Sequence, residues 1–272
     1  MTLKAMYNAI AKRYDIADQF GSISKSHTIA IKQIETVMKD HHLPVKVLDM
    51  GIGNGAFLQQ LLPILKQAKL TGIDISPEMI KLAQENLPIL CIEGSATEAS
   101  HYLPAHSQDL ILAHFINAYI PIDTLLQQAN LLTRSNGYFS MITTTYESFP
   151  EAQRMIAEFI NDGSIVGRLV GHYYKNLVRN TTVSSGLEDL FCSFDNHGFK
   201  VVEHQRLEIP FQLNNIDDLI LFGIDGTWFL NSISMRMLPK QFLIERLKRL
   251  FERIFTFPYK DTHIIDIILA SK

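Results

Sequence analysis

The run Val45-Lys46-Val47-Leu48-Asp49-Met50-Gly51-Ile52-Gly53-Asn54-Gly55-Ala56-Phe57-Leu58 decides how this chain is read. Val45 to Met50 has strand character, three glycines follow at alternate positions, and Ala56-Phe57-Leu58-Gln59-Gln60-Leu61-Leu62 then resumes at helical spacing. Glycines at such a junction let the backbone turn tightly and let a ligand approach its amides. Pro63 closes the helix.

Outward from this turn, the same alternation repeats. Leu70 to Ile75 predicts a second strand, and Ser76-Pro77-Glu78 a helix start with serine as cap and proline in the first turn. Met79, Ile80, Ala83 and Leu87 form the buried stripe of that helix. Ile89–Glu93, Asp109–Ala113 and Tyr138–Thr143 predict strands three to five, the last preceded by a helix over about 123–133 and the turn Ser135-Asn136-Gly137. Phe199–Glu203 and Ile264–Leu269 complete a count of seven. Strands alternating with helices predict an α/β protein with a doubly wound, mostly parallel seven-stranded sheet. Three stretches fall outside the alternation and read as mainly helical. These are residues 1–44, expected as an N-terminal lid, and insertions at about 147–195 and 214–257 within a domain spanning 45–272.

Composition supports a folded core: 47% of the 272 residues are hydrophobic and only 19% charged. A net charge of −3 offers no general attraction to phosphate backbones, so a nucleic-acid partner is not expected. Cys91 and Cys192 lack any CxxC spacing, which predicts neither a disulfide framework nor a metal site and fits a reducing cytoplasm. No apolar run approaches the roughly 18 residues of a membrane span, and Met1–Asn8 does not read as a signal peptide.

Two readings compete for the glycine turn. Gly51, Gly53 and Ala56 match the GxGxxA fingerprint of dinucleotide sites, which would seat a pyrophosphate at the helix N-terminus. Asp49 opposes it, because a carboxylate two residues before the first glycine repels a diphosphate but suits a ligand carrying an ammonium group. Asp74, at the end of the second strand, is placed to accept both hydroxyls of a ribose.

As a set, these features resemble class I S-adenosylmethionine-dependent methyltransferases. The acidic residue and GxGxG of that family match Asp49, Gly51, Gly53 and Gly55, and its second acidic strand end with an S-P-x-M helix start matches Asp74-Ile75-Ser76-Pro77-Glu78-Met79. Gly94-Ser95-Ala96, Ser107-Gln108-Asp109-Leu110-Ile111 and Leu132–Gly137 look like its later motifs. The resemblance implies a Rossmann-like methyltransferase fold with an antiparallel last strand, and S-adenosyl-L-methionine as cofactor. It also implies that the glycines pack on the methionine moiety, Asp49 helps hold its ammonium, and Asp74 takes the ribose. Ile75 and Met79 would flank the adenine, with Ser95 and Ala96 at its polar edge. Ser95 stands where the family often has aspartate, and Ile52 and Asn136 replace commoner cysteine and glycine. Tyr14, in a "YD" segment like that of many small-molecule methyltransferases, would help close the cofactor site.

The acceptor is read from fewer residues. His114, directly after strand four, faces the crevice of a doubly wound sheet in this reading and is a candidate for cofactor contact or catalysis. His172 and Tyr173, in Gly171-His172-Tyr173-Tyr174-Lys175, are further catalytic candidates. In outline the chain is similar to malonyl-carrier-protein O-methyltransferases: Gly198-Phe199, Leu219–Thr227 and Phe257-Pro258-Tyr259 resemble their later segments, although His263 replaces their final tyrosine and Asp225 interrupts the pattern. That similarity implies a small or acyl-carrier-bound acceptor with a carboxylate nucleophile, and a docking role for the cationic face Arg246, Lys248, Arg249 and Arg253. Base-assisted O- or N-methylation of another metabolite stays open, as does a non-catalytic nucleotide-binding regulatory module. Nothing in the sequence specifies an oligomeric state.

Overall fold

The structure, a computed structural model, describes residues 3–39, 44–179, 182–228 and 240–272. Every apolar run named above is a strand. They are β1 (Lys46–Met50), β2 (Lys69–Asp74), β3 (Ile89–Glu93), β4 (Gln108–His114), β5 (Thr133–Thr143), β6 (Lys200–Leu213) and β7 (Tyr259–Ser271). They form one sheet in the order β3-β2-β1-β4-β5-β7-β6. β1 to β5 pair in parallel, and β7 lies antiparallel between β5 and β6.

Helices cover both faces, so strands such as Leu110-Ile111-Leu112-Ala113 read as continuous apolar runs. Leu110 and Leu112 pack with Ala30, Ile34 and Met38 of α2 (Ser22–Met38) and Phe57, Leu58 and Leu61 of α3 (Ala56–Leu61). Ile111 and Ala113 face the other layer, with Ala99 of α5 (Ala99–Tyr102), Leu125, Leu126 and Ala129 of α6 (Ile122–Leu132) and Leu190 and Phe194 of α9 (Leu187–Asn196). The second-strand helix, α4 (Pro77–Asn86), begins as expected: Ser76 Oγ accepts from the Met79 amide and Pro77 sits in the first turn.

Strand five and the last two strands differ from expectation. β5 begins at Thr133, directly after α6, and takes up the Ser135-Asn136-Gly137 turn as an irregularity, with Asn136 at φ 61°. β6 continues ten residues past Glu203, because Leu207, Ile209, Phe211 and Leu213 alternate with outward polar residues along an edge strand that tolerates Pro210. Of the 147–195 stretch, α7 (Pro150–Ile160) packs through Ala152 and Met155 with Phe211 and Leu213 of β6 and Tyr259 of β7, α8 (Ile165–Arg179) lies against α7 with Gly171 beside Ile160, and α9 packs under β5 with Phe194 against Phe139.

Between β6 and β7 come α10 (Ile216–Ile220), a π-helical turn over Leu221–Asp225, and α11 (Lys240–Ile254). Ile220 and Ile224 pack with Ile244, Leu247 and Phe251 and with Met6 of α1 (Leu3–Ile10). This insertion therefore meets the N-terminal segment above the strand ends.

Candidate active site

The crevice opens where the strand order turns from β1 outward in both directions, between the carboxyl ends of β1 and β4. Asp49 lies there with 3% of its surface exposed, on a strand paired to Gly72 and Leu112. Burial and the neighbouring Asp74 carboxylate push its pKa up to about 8. Such a carboxyl is poised to ionise when a cationic group arrives.

The three glycines all adopt positive φ and do different things. At Gly51, a Cβ would meet Ile116 Cγ2 at 2.3 Å, so the turn fits closely against the loop after β4. At Gly53, with φ 57°, a Cβ would meet nothing within 4 Å, which leaves an open cradle beside the backbone. Gly53's amide donates to Asp74 Oδ2 at 2.9 Å, and Ser76's amide donates to Asp74 Oδ1 at 2.8 Å. Burial raises the Asp74 pKa against the opposing pull of these donors. The set is an open glycine cradle, a buried carboxyl seeking a cation, and an acidic strand end. These residues fit S-adenosylmethionine: Asp49 for the ammonium, the glycine backbone for the methionine moiety, Asp74 for the ribose hydroxyls.

Ile75 is half-buried beside this cradle, while Met79 is fully buried, leaving Ile75 the more accessible apolar flank for an adenine. Ser95 Oγ caps the short turn Ala96–Glu98, accepting from the Thr97 amide, and Ala96 is buried. Tyr14 lies in the 3₁₀ segment Ala11–Asp18, with its side chain outside the described residues.

His114 is placed by strand alternation. It shares a face with Leu110 and Leu112, and its ring packs edge-on against Phe57 at 4.3 Å, with His27 of α2 at 6.0 Å. Nε2 lies 3.1 Å from Ser140 Oγ, and Nδ1 is buried without a partner among the described residues. Desolvation and His27 hold its pKa well below the ordinary value. His172 is exposed on α8, and the Tyr173 side chain lies outside the described residues.

A pocket next to Ile116 was not legible beforehand. It is lined by Tyr7 and Ala17, by Phe115, Asn117, Ala118 and Tyr119 after β4, by Thr144 and Phe149 after β5, and by Thr227 and Trp228. Neither His114 nor His172 lines it. The Tyr7 hydroxyl donates to that of Tyr119 at 3.0 Å, and Trp228 Nε1 donates to the Ala17 carbonyl at 3.0 Å. Phe115, Phe149 and Thr227 hold φ of 57°, 56° and 72°, left-handed conformations that cost non-glycine residues roughly 1–2 kcal/mol each. Such strain concentrates where the fold over-determines a binding wall. A sequence signal did exist for Asn117: it lies just past the end of β4, at the switch point. Among the described residues no cluster of three His, Cys, Asp or Glu is arranged to hold a metal ion.

A family model described as a methyltransferase domain matches residues 47–158, spanning the glycine cradle, Asp74 and much of the pocket wall. The chain is a class I S-adenosylmethionine-dependent methyltransferase. It is 24% identical over 204 residues to a demethylmenaquinone methyltransferase of Chlorobaculum tepidum, covering 60% of this chain and 84% of that one. Over 72 residues it is 36% identical to a release factor glutamine methyltransferase of Deinococcus radiodurans, covering 25% of this chain and 24% of the relative. The fold of the methyltransferase is shared with the YcgJ protein of Bacillus subtilis, at a TM-score of 0.58 and 14% identity over 92% of this chain and 98% of the other.

Proposed function

We propose that this methyltransferase acts on an acceptor oxygen that arrives already ionised, a carboxylate on a small molecule or an acyl thioester. The observation that carries this is the pocket wall, which among the described residues supplies no effective general base. Its titratable groups are Tyr7 and Tyr119, hydroxyl to hydroxyl, and burial raises the Tyr119 pKa. His263, packed behind Phe149 and Trp228, has its pKa lowered to about 3 by desolvation. A histidine that binds a proton so weakly draws one poorly from a phenol or an ammonium. A carboxylate has no proton to lose at neutral pH.

When bound, S-adenosylmethionine supplies a methyl group on a sulfonium, given up to an acceptor lone pair while the carbon–sulfur bonding pair stays on sulfur. Asp49, the glycine turn and Asp74 hold the cofactor in this reading, with Ile75, Met79, Ser95 and Ala96 around the adenine and Tyr14 in the covering N-terminal segment. Phe115, Tyr119, Phe149 and Trp228 exclude water from the acceptor, which favours a reaction that neutralises opposite charges. Exposed Arg246, Arg249 and Arg253 of α11 support an acidic carrier as the bearer of the acceptor. The free cysteines Cys91 and Cys192 support a reducing, cytoplasmic setting.

A second reading rests on the aromatic side chains of the same wall, which also suit a flat ring; the name of the Chlorobaculum relative gives a demethylmenaquinone acceptor. Release of S-adenosylhomocysteine from the purified protein with malonyl-coenzyme A, against menadiol, separates the two. The carboxylate reading expects turnover of malonyl-coenzyme A; turnover of menadiol alone overturns it.

A further inference from the structure

Asn117 lines the acceptor pocket with only 2% of its surface exposed. The hydroxyl of Thr143, at the end of β5, donates to Asn117 Oδ1. Asn117 Nδ2 has no hydrogen-bond partner among the described residues. A buried amide NH₂ left unpaired costs about 1–3 kcal/mol, and folded proteins keep few of them. Here the orphan sits in a wall where Phe115, Phe149 and Thr227 already hold left-handed backbone. Ile116, the preceding residue, packs on Gly51 of the cofactor turn, so Asn117 lies just beyond the cofactor cradle.

We infer that Asn117 is an acceptor-binding residue whose Nδ2 donates a hydrogen bond to an oxygen of the acceptor, resting on the carboxylate reading given above. One carboxylate oxygen takes the methyl and the other is free to accept from the amide, which fixes the orientation of the group. The Thr143 hydroxyl sets which end of the amide faces the acceptor. The donor is neutral, so it selects for an oxygen acceptor without holding a permanent ion pair against the product ester.

The test uses the 272-residue chain with malonyl-coenzyme A, following S-adenosylhomocysteine release, and S-adenosylhomocysteine binding by calorimetry as a control on the fold. Asn117→Ala is expected to lower kcat/KM about 10- to 100-fold with cofactor affinity unchanged, the range for a hydrogen bond to a charged group. Asn117→Asp, which places an anion against an anion, is expected to lose more. In ¹⁵N-labelled protein saturated with S-adenosylhomocysteine, adding malonyl-coenzyme A is expected to shift the side-chain NH₂ resonances absent from Asn117→Asp. Unmoved resonances, or kcat/KM of Asn117→Ala within about twofold of wild type, overturn the assignment and leave the carboxylate reading standing. Asn117→Asp outperforming Asn117→Ala overturns it differently, by showing that the pocket calls for a hydrogen-bond acceptor. Loss of cofactor binding in Asn117→Ala assigns the residue to structure alone. No turnover of malonyl-coenzyme A by wild type removes the carboxylate reading itself, and this assignment with it.

Discussion

The amide of Gly53 donates to the carboxylate of Asp74 at 2.9 Å, tying the first turn of the cofactor site to the end of the neighbouring strand. One bond therefore shapes the glycine turn and orients the carboxylate proposed to hold the ribose. Asp74→Ala is expected to weaken S-adenosylhomocysteine about 10- to 100-fold, since it removes a charged acceptor and loosens the turn together. Calorimetry checks this, and an unchanged dissociation constant in a folded variant removes Asp74 from the site.

Gly51 and Gly53 separate packing from binding. Gly53→Ala puts a methyl into open space, at a backbone cost of about 1 kcal/mol, and is expected to lower cofactor affinity more than stability. Gly51→Ala drives a methyl into Ile116 and is expected to lower stability first. Thermal melts with and without S-adenosylhomocysteine distinguish the two.

Asp49 predicts a pH dependence. With its pKa raised to about 8, the free protein holds a proton there at pH 7, and a bound ammonium would drive that proton off. Affinity for S-adenosylhomocysteine should therefore rise with pH up to about 8, by at most tenfold per unit, with a buffer-dependent binding enthalpy that Asp49→Asn abolishes. Stability of the free protein runs the opposite way. A raised carboxyl pKa means the folded state binds more protons than the unfolded, so this group's contribution falls as pH climbs from about 4 to about 8. Asp49→Asn should melt higher than wild type at pH 8, and an equal or lower melting temperature contradicts the assignment.

Asp266 is wholly buried in β7, held by Arg206 through Nε and Nη2 at 2.9 Å each and by His204 at 2.8 Å. Removing the guanidinium leaves a buried carboxylate undercompensated. Arg206→Ala is expected to cost about 3 kcal/mol of unfolding free energy. Urea unfolding measures it, and a loss under about 1 kcal/mol shows that His204 alone suffices.

The sheet, the glycine turn after β1 and the start of α4 were legible in the sequence because each rests on local signals: apolar runs buried on two faces, glycines that need positive φ, a serine cap before Pro77. The pocket beside Ile116 was not. Its walls come from Tyr7 of α1, Phe115 and Asn117 after β4, Phe149 after β5 and Trp228 after the π-helical turn, four separate stretches brought together only by topology. His114 ends β4 on the face of Leu110 and Leu112, where the two-residue period of the strand sets its ring edge-on against Phe57, a partner that its place in the sequence does not announce. β6 ran past its expected end because an alternating edge strand with a proline lacks the dense apolar run that marks a central one.

Helix α1 touches both halves of the site at once. Asn8 accepts from the Ser76 hydroxyl at 2.6 Å at the start of α4, Lys4 pairs with Glu93 at the end of β3, and Tyr7 meets Tyr119 over the acceptor pocket. Eight residues, held by these polar contacts and by Met6 packed on Ile220 and Ile224, thus bridge the two regions. A displacement of α1 would therefore move the Ser76 cap and the Tyr7–Tyr119 pair together, coupling the start of α4 to the pocket beyond β4.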